Sequence, residues 1–364
     1  MSRVVRLHIG APKTGTTYIQ SRLGLNTRTL AQHGVHFPGT SRLARPELSQ
    51  FRAALDLIGQ DWGGPAGHAE GAWDDLVKKV RRLQGNVVIS HEILAPAEPA
   101  MIARARRDLG ADDLHVIYSA RDLARQLPAA WQESIKQGRT WTFKKFLKRA
   151  RRGTPFFMRA FDIPAVLDTW GAELPPDRVH LVVVPPRGAP VDAVDSLWTR
   201  MCRALEIDPA WAPRDSQSRN ESLGIAETEV LRRLNGELGR QVAREGDYDA
   251  LLRAAVAEGT LFSKKSSPVT VGPDHHPWLE EVTAGWIDWI EQSGVDVIGD
   301  LDELRPVPLA EGEKWKDPDR VRKGKQLKTA IGALANMTAE AARRPDPERL
   351  TAKAAEELKR RLSR

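Results

Sequence analysis

The chain has 364 residues, 41% hydrophobic and 28% charged, an ordinary globular composition that excludes a low-complexity or fibrous chain. No uninterrupted apolar run approaches bilayer length, and the single cysteine, Cys202, excludes an intrachain disulfide framework or a cysteine metal cluster. The formal net charge is +7, and residues 311–364 hold 15 Lys/Arg against 9 Asp/Glu, which favours an anionic partner without choosing among nucleotide, nucleic acid and lipid surface.

Val4–Ile9 is short, apolar and partly β-branched, and it ends at Gly10. It reads as a strand rather than a signal segment, so the expected compartment is the cytoplasm. Helical spacing begins at Thr17 and stops near Gly34, so the chain opens on strand, glycine-containing loop and helix. A helix is expected over Glu47–Ile58, a Gly/Pro-rich loop over Trp62–Gly71, and a helix over Trp73–Leu83 ended by Gly85. Asn86–Ser90 reads as the second strand, Pro99–Leu109 as a helix and Leu114–Ala120 as the third strand. The stretch Arg121–Gly138 predicts a helix interrupted or restarted at Pro128, and Thr140–Arg149 a further helix. Val179–Pro185 has the apolar character of a strand buried on both faces.

Strands separated by helical crossovers predict an α/β fold with a P-loop-like parallel sheet flanked by helices. Beyond Leu223 the pattern turns mainly helical, over Ala226–Glu245, Tyr248–Glu258 and Trp278–Ser293. The expected organisation is an α/β domain over 1–304, a basic linker or lid over 305–327, and a helical C-terminal extension over 328–364, split near Pro345 and Pro347.

Gly10 and Gly15 have the spacing of a nucleotide phosphate loop, but the Lys-Ser/Thr pair that should follow is replaced by Thr16-Thr17. The lysine stands ahead of the second glycine, at Lys13. Backbone N–H groups and the following helix N-terminus still suit an anion, whereas a magnesium-nucleotide site is disfavoured. On spacing alone, a glycine-rich turn with a surface lysine is the plain alternative.

The complete string Pro12-Lys13-Thr14-Gly15-Thr16-Thr17 resembles the loop of the sulfotransferases that use 3′-phosphoadenosine 5′-phosphosulfate (PAPS), and the chain looks like a divergent bacterial member. The resemblance implies that Pro12 shapes the loop, that Lys13, Thr14, Gly15, Thr16 and Thr17 hold the 5′-phosphosulfate end, and that Gln20 lies one helical turn beyond. It implies that Arg121, after the third strand, meets the 3′-phosphate. The serine expected about eight residues later is Ala129 here, leaving Ser119, Gln132 and Ser134 as polar substitutes. Arg322-Lys323-Gly324 resembles the family's tripeptide that closes over the 3′-phosphate, and its alternative is a flexible charged linker. Arg219–Gly224 resembles a segment of bacterial relatives that borders the nucleotide, and no role is assigned to it.

Sulfuryl transfer to an alcohol needs a base for the acceptor proton and positive charge at the leaving phosphate. Ser90-His91-Glu92 follows the second strand, where open α/β sheets place their sites. By resemblance His91 is the general base, Glu92 the rival, and Lys13 the group that stabilises the phosphosulfate. Capping of the next helix is the plain reading of His91 and Glu92.

PAPS and its product 3′-phosphoadenosine 5′-phosphate are thus the expected ligands, with no metal. The acceptor would be a small-molecule, carbohydrate or lipid hydroxyl. No nucleic-acid partner is expected, since no nucleic-acid module is present, and the oligomeric state is open. His8 lies within a strand, and His275-His276 lacks metal partners in sequence. Of the 11 tryptophans, Trp131 suggests a stacking or cleft residue and Trp62 and Trp73 flank a loop that would cover substrate, with core packing the favoured reading of each alone, and Trp198, Trp286 and Trp289 read as core. The competing readings are a P-loop nucleotide kinase or NTPase-like enzyme and a noncatalytic nucleotide-binding protein.

Overall fold

The computed structural model describes residues 2–40, 45–62, 64–110, 113–154, 156–186, 195–216, 222–241, 266–310, 312 and 314–343. In chain order they form β1 (Arg3–Gly10), α1 (Thr16–Leu25), α2 (Thr27–Gln32), β2 (Val35–His36), α3 (Pro46–Leu57), α4 (Ala72–Val80), β3 (Gly85–Ser90), α5 (Pro99–Leu109) and β4 (Asp113–Ala120). Next come α6 (Leu123–Lys136), α7 (Phe143–Ala150), α8 (Phe156–Phe161), α9 (Ile163–Gly171), β5 (Val179–Val183) and α10 (Leu197–Leu205). The series ends with α11 (Ile225–Gln241), α12 (His276–Ser293), β6 (Asp296–Ile298) and α13 (Lys323–Arg343). The chain divides into two units, one of residues 1–134, 141–220 and 269–319, the other of residues 135–140, 221–268 and 320–364.

The first unit holds a six-stranded sheet of order β2-β3-β1-β4-β5-β6, parallel at every pairing. The chain runs from β1 outward to β2, returns to β3, then crosses to β4 on the other side of β1. The order therefore reverses around β1, and the loops after β1, β3 and β4 lie at the strand C-termini, where open α/β sheets place a crevice.

On one face Val88, Ile117 and Val182 of β3, β4 and β5 pack with Ile19 and Leu23 of α1 and with Trp198, Met201 and Leu205 of α10. In the same unit α9 packs against β4, α5 and α12. β1 is buried from Val5 to Gly10, yet two of those residues are polar, Arg6 and His8. A buried charge needs partners. Arg6 donates from Nη1 to the Ala204 carbonyl at 3.1 Å and pairs through Nη2 with Glu206 at 2.6 Å.

The helix expected from Thr17 to Gly34 is two helices. Asn26 ends α1 and precedes α2, and its amide nitrogen donates to the Arg22 and Arg214 carbonyls, both at 2.7 Å. Such local bonding competes with helix continuation. Pro128 does not break α6, which runs unbroken from Leu123 to Lys136. A proline there forgoes only the N–H bond to the Ala124 carbonyl.

In the second unit α11 packs against α13. Asn235 donates to the carbonyls of Ile135 at 2.7 Å and Arg139 at 3.0 Å, and Glu227 accepts from the Ser266 hydroxyl at 2.6 Å. α13 begins at Lys323, inside the stretch expected to be a linker. The helices expected over Tyr248–Glu258 and beyond Pro345 lie outside the described residues, as do residues 242–245 of the helix expected from Ala226. No described helix is long and apolar enough to cross a membrane.

In the first unit Arg200 is buried and pairs with Glu303 and Asp195, while its Nη1 also donates to the Val183 carbonyl at 2.9 Å. Removing Glu303 leaves the buried guanidinium only the exposed Asp195 and one carbonyl, whereas removing Glu303 and Arg200 together replaces charge with packing. Glu303→Leu is expected to destabilise the protein by about 3 kcal/mol. Glu303→Leu combined with Arg200→Met should recover most of that loss, as read from urea midpoints.

Candidate functional site

The crevice is built on a polar rail inside the sheet. His8 and Ser90 are register partners on β1 and β3, and His8 Nδ1 lies 2.7 Å from Ser90 Oγ. Its Nε2 lies 3.2 Å from Ser119 Oγ on β4. Ser119 Oγ donates to the Gly10 carbonyl at 2.9 Å and lies 2.6 Å from Thr14 Oγ1, which donates to the Ala11 carbonyl at 2.6 Å. One imidazole thus couples the ends of three strands to the loop above them. Burial lowers the His8 pKa to about 4, with Glu92 pulling it up and His91 pushing it down. The ring is neutral near pH 7 and can donate from one nitrogen while accepting at the other.

The loop turns on two glycines. Gly10 has φ 123°, and a Cβ there would lie 3.0 Å from the Glu92 carbonyl oxygen and 3.1 Å from the Glu92 Cα. Only a residue without a side chain lets β1 end this close to Glu92. Gly15 has φ 92°, and a Cβ there would run into the Leu197 side chain. Lys13, at φ 67°, also adopts the left-handed region, which costs an L-residue free energy.

Gly15 is the N-cap of α1, so no side chain caps the helix, and no acidic residue stands in its first turn. The first-turn amides lack intrahelical acceptors, and the helix dipole adds positive potential. The loop therefore presents donors to an anion. Thr14 and Thr16 are buried, and the Thr14 hydroxyl is engaged in the rail.

Lys13 Nζ pairs with Glu133 of α6 at 2.6 Å, both side chains being about a third exposed. Arg121 follows β4 and donates from Nη1 to the Lys13 carbonyl at 3.1 Å. Gln126 Nε2 donates to the Pro12 carbonyl at 2.9 Å. Asp122 is buried, accepts from the Arg125 amide at 2.9 Å and pairs with the Arg125 side chain. The β1 and β4 loops thus bring Lys13 and Arg121 together.

His91 is the N-cap of a 3₁₀ turn, Glu92–Leu94, and its Nδ1 accepts from the Ile93 amide at 3.3 Å. The ring stacks on Phe51 with centroids 5.0 Å apart. Burial lowers its pKa, and Glu92 partly opposes this. With Nδ1 accepting, the neutral ring carries its proton on Nε2. Glu92 Oε2 lies 3.8 Å from His91 Nδ1 and accepts from Gln20 Nε2 at 3.4 Å. Gln20 also donates to the Ser90 carbonyl at 2.8 Å. The capping role foreseen as the plain alternative is thus present, and the Glu92 side chain beside it is 24% exposed.

Several polar substitutes for the missing serine are spoken for. Ser119 belongs to the rail. Ser134 donates to the Trp131 carbonyl at 2.6 Å and accepts from Trp141 Nε1 at 2.7 Å. Ala129 is half-buried and Gln132 is buried. Trp131 is fully buried beside Phe143, and its Nε1 donates to the Trp141 carbonyl, so it is core rather than a cleft wall. Trp73 is likewise core and donates to Asp108, whereas Trp62 is exposed and meets Phe156 edge-on. Trp198 and Trp286 are buried and Trp289 half-buried.

Arg322, Lys323 and Gly324 are exposed at the start of α13 in the second unit. Residues 219–221 lie outside the described residues. Among the described residues no His, Cys, Asp and Glu side chains cluster as a metal site would require. The rail and Glu133 were not singled out in sequence. The trace of the rail is one polar residue near the C-terminal end of each of three largely apolar strands; Glu133 leaves no local pattern.

No family model matches the chain, and no curated protein or solved structure matches it significantly.

His8 yields a pH prediction. Its folded pKa, about 4, lies below its ordinary 6.5, so the unfolded chain binds the extra proton between these values. Stability is therefore intact above pH 6.5 and falls toward pH 4, by about 3 kcal/mol from this group. The measurement is urea unfolding across pH 4–7. His8→Gln should flatten the dependence by roughly one proton relative to the parent.

Proposed function

We propose that the protein transfers a sulfuryl group from PAPS to a hydroxyl acceptor. The observation that carries this reading is the loop Pro12–Thr17 at the sheet's reversal point, with uncapped amides and a lysine displaced from its place in a triphosphate loop. These residues fit a doubly charged anhydride end: backbone donors at Thr16 and Thr17, the Lys13 ammonium, and a glycine at 15 where a side chain would collide with Leu197. Arg121, held beside Lys13, suits the second phosphate, where Ala129 offers no hydroxyl. A P-loop-like sheet and a cytoplasmic location belong to the same reading.

When bound, PAPS supplies an activated sulfuryl group whose leaving group is a phosphate. Lys13 would leave Glu133 and set its charge against the phosphosulfate. Arg121 would orient the nucleotide through the fork of its guanidinium. Glu92 would hold the acceptor hydroxyl and take its proton, while His91, with Nδ1 committed to the Ile93 amide, orients the Glu92 turn. This shifts the base from His91, the expectation from sequence, to its neighbour. The acceptor class is a small-molecule, carbohydrate or lipid alcohol.

Calorimetry tests the ligand. 3′-Phosphoadenosine 5′-phosphate should bind without magnesium and at least tenfold more tightly than AMP or ATP. Arg121→Ala should weaken it by about 2–3 kcal/mol, as for a hydrogen bond to a charged group, and leave AMP unchanged. Equal affinity for AMP removes the 3′-site, and magnesium-dependent ATP hydrolysis favours the kinase or NTPase reading.

Single-turnover transfer from labelled PAPS to a hydroxyl-rich acceptor extract tests the base. Glu92→Gln should slow transfer by 100-fold or more, within the usual contribution of a general base, with nucleotide affinity kept. His91→Gln should cost roughly tenfold or less. The reverse ranking returns the base role to His91.

A further inference from the structure

α13 carries an apolar stripe that is exposed among the described residues. Four of the eight exposed large apolar side chains among the described residues lie on this helix: Leu327, Ile331, Leu334 and Met337, between 43% and 64% exposed. At 100° per residue they span an arc of about 120° over roughly 15 Å. The opposite side, which includes the buried Ala333, is lined by small residues. Large side chains outside and small ones inside invert the pattern of a helix stabilised only by its own domain. An exposed patch of this kind marks an interaction surface.

Charge decides the occupant. Residues 320–339 contain Arg320, Arg322, Lys323, Lys325 and Lys328 and no Asp or Glu, and all five cations are exposed. By helical angle Lys323 continues the stripe one turn before Leu327, and Lys328 lies about 60° beyond its Ile331 edge. A second copy of the helix would bring the same cations and no counter-charge within that stretch. A polyanion such as RNA would meet the cations and leave the stripe in water. A bilayer with anionic headgroups satisfies both, because Lys323 at the N-terminal end of the stripe and Lys328 beside it reach the headgroups while Leu, Ile and Met enter the acyl boundary.

We propose that α13 docks the protein onto an anionic membrane surface, lying in the interface without spanning it. This does not rest on sulfuryl transfer, and its test uses no catalytic readout.

The full-length chain is sedimented with vesicles of phosphatidylcholine alone and with vesicles containing phosphatidylglycerol. Binding is expected only to the second kind and should weaken as salt is raised. Ile331→Gln with Leu334→Gln, and separately Lys323→Gln with Lys328→Gln, should each reduce it about tenfold or more, with circular dichroism unchanged. Glutamine keeps helix propensity. If the apolar pair loses helicity, the lysine pair and the salt dependence decide on the same vesicles. No binding by the parent chain, or full binding by the folded apolar pair, overturns the proposal. A dimer that dissociates in the apolar variant, without vesicle binding, assigns the stripe to a second copy instead.

Discussion

A neutral imidazole fully buried at the centre of a parallel sheet is the constraint on which the rest of the first unit depends. His8 bridges Ser90 and Ser119, and Ser119 in turn meets Thr14 and the Gly10 carbonyl. In a low-dielectric interior each such group is costly unless its partner is in place. The polar rail therefore favours one mutual register of β1, β3 and β4 and one seat for the loop. An apolar residue at position 8 would pack, but it would take from the Ser90 hydroxyl its close partner and unlink β3 from Ser119.

The second constraint is backbone proximity. Gly10 approaches the main chain of Glu92, so the end of β1 and the start of the 3₁₀ turn share one small volume. Glu92 is held on its other side by Gln20 from α1. A carboxylate is thereby stationed near a loop rich in backbone donors, and the Glu133 carboxylate holds Lys13 from α6. The Lys13 ammonium is thus paired with a carboxylate, while Arg121 meets the Lys13 carbonyl.

Much of the sheet was legible because its four longer strands are dense apolar runs, and Asn86–Ser90 and Leu114–Ala120 matched to within a residue. β2 and β6, two and three residues long, are too short for any periodicity to register. The split at Asn26 and the continuity through Pro128 depend on which carbonyls find donors, a tertiary matter that residue type alone does not fix. The loop residues were legible as a contiguous string. The Lys13–Glu133 pair was not, because its members stand 120 residues apart. His91 was legible as a candidate, but its tautomer depends on the Ile93 amide and so on the turn geometry.

The same two short strands have a consequence for solubility. A sheet ends in a row of unpaired amides and carbonyls, and a long flat edge invites another chain to add a strand. Here β2 and β6, at the two margins, offer room for very few such bonds. The parallel sheet is broad in its middle and nearly closed to further growth at both sides, which protects a core rich in Val, Ile and Leu from edge-to-edge association.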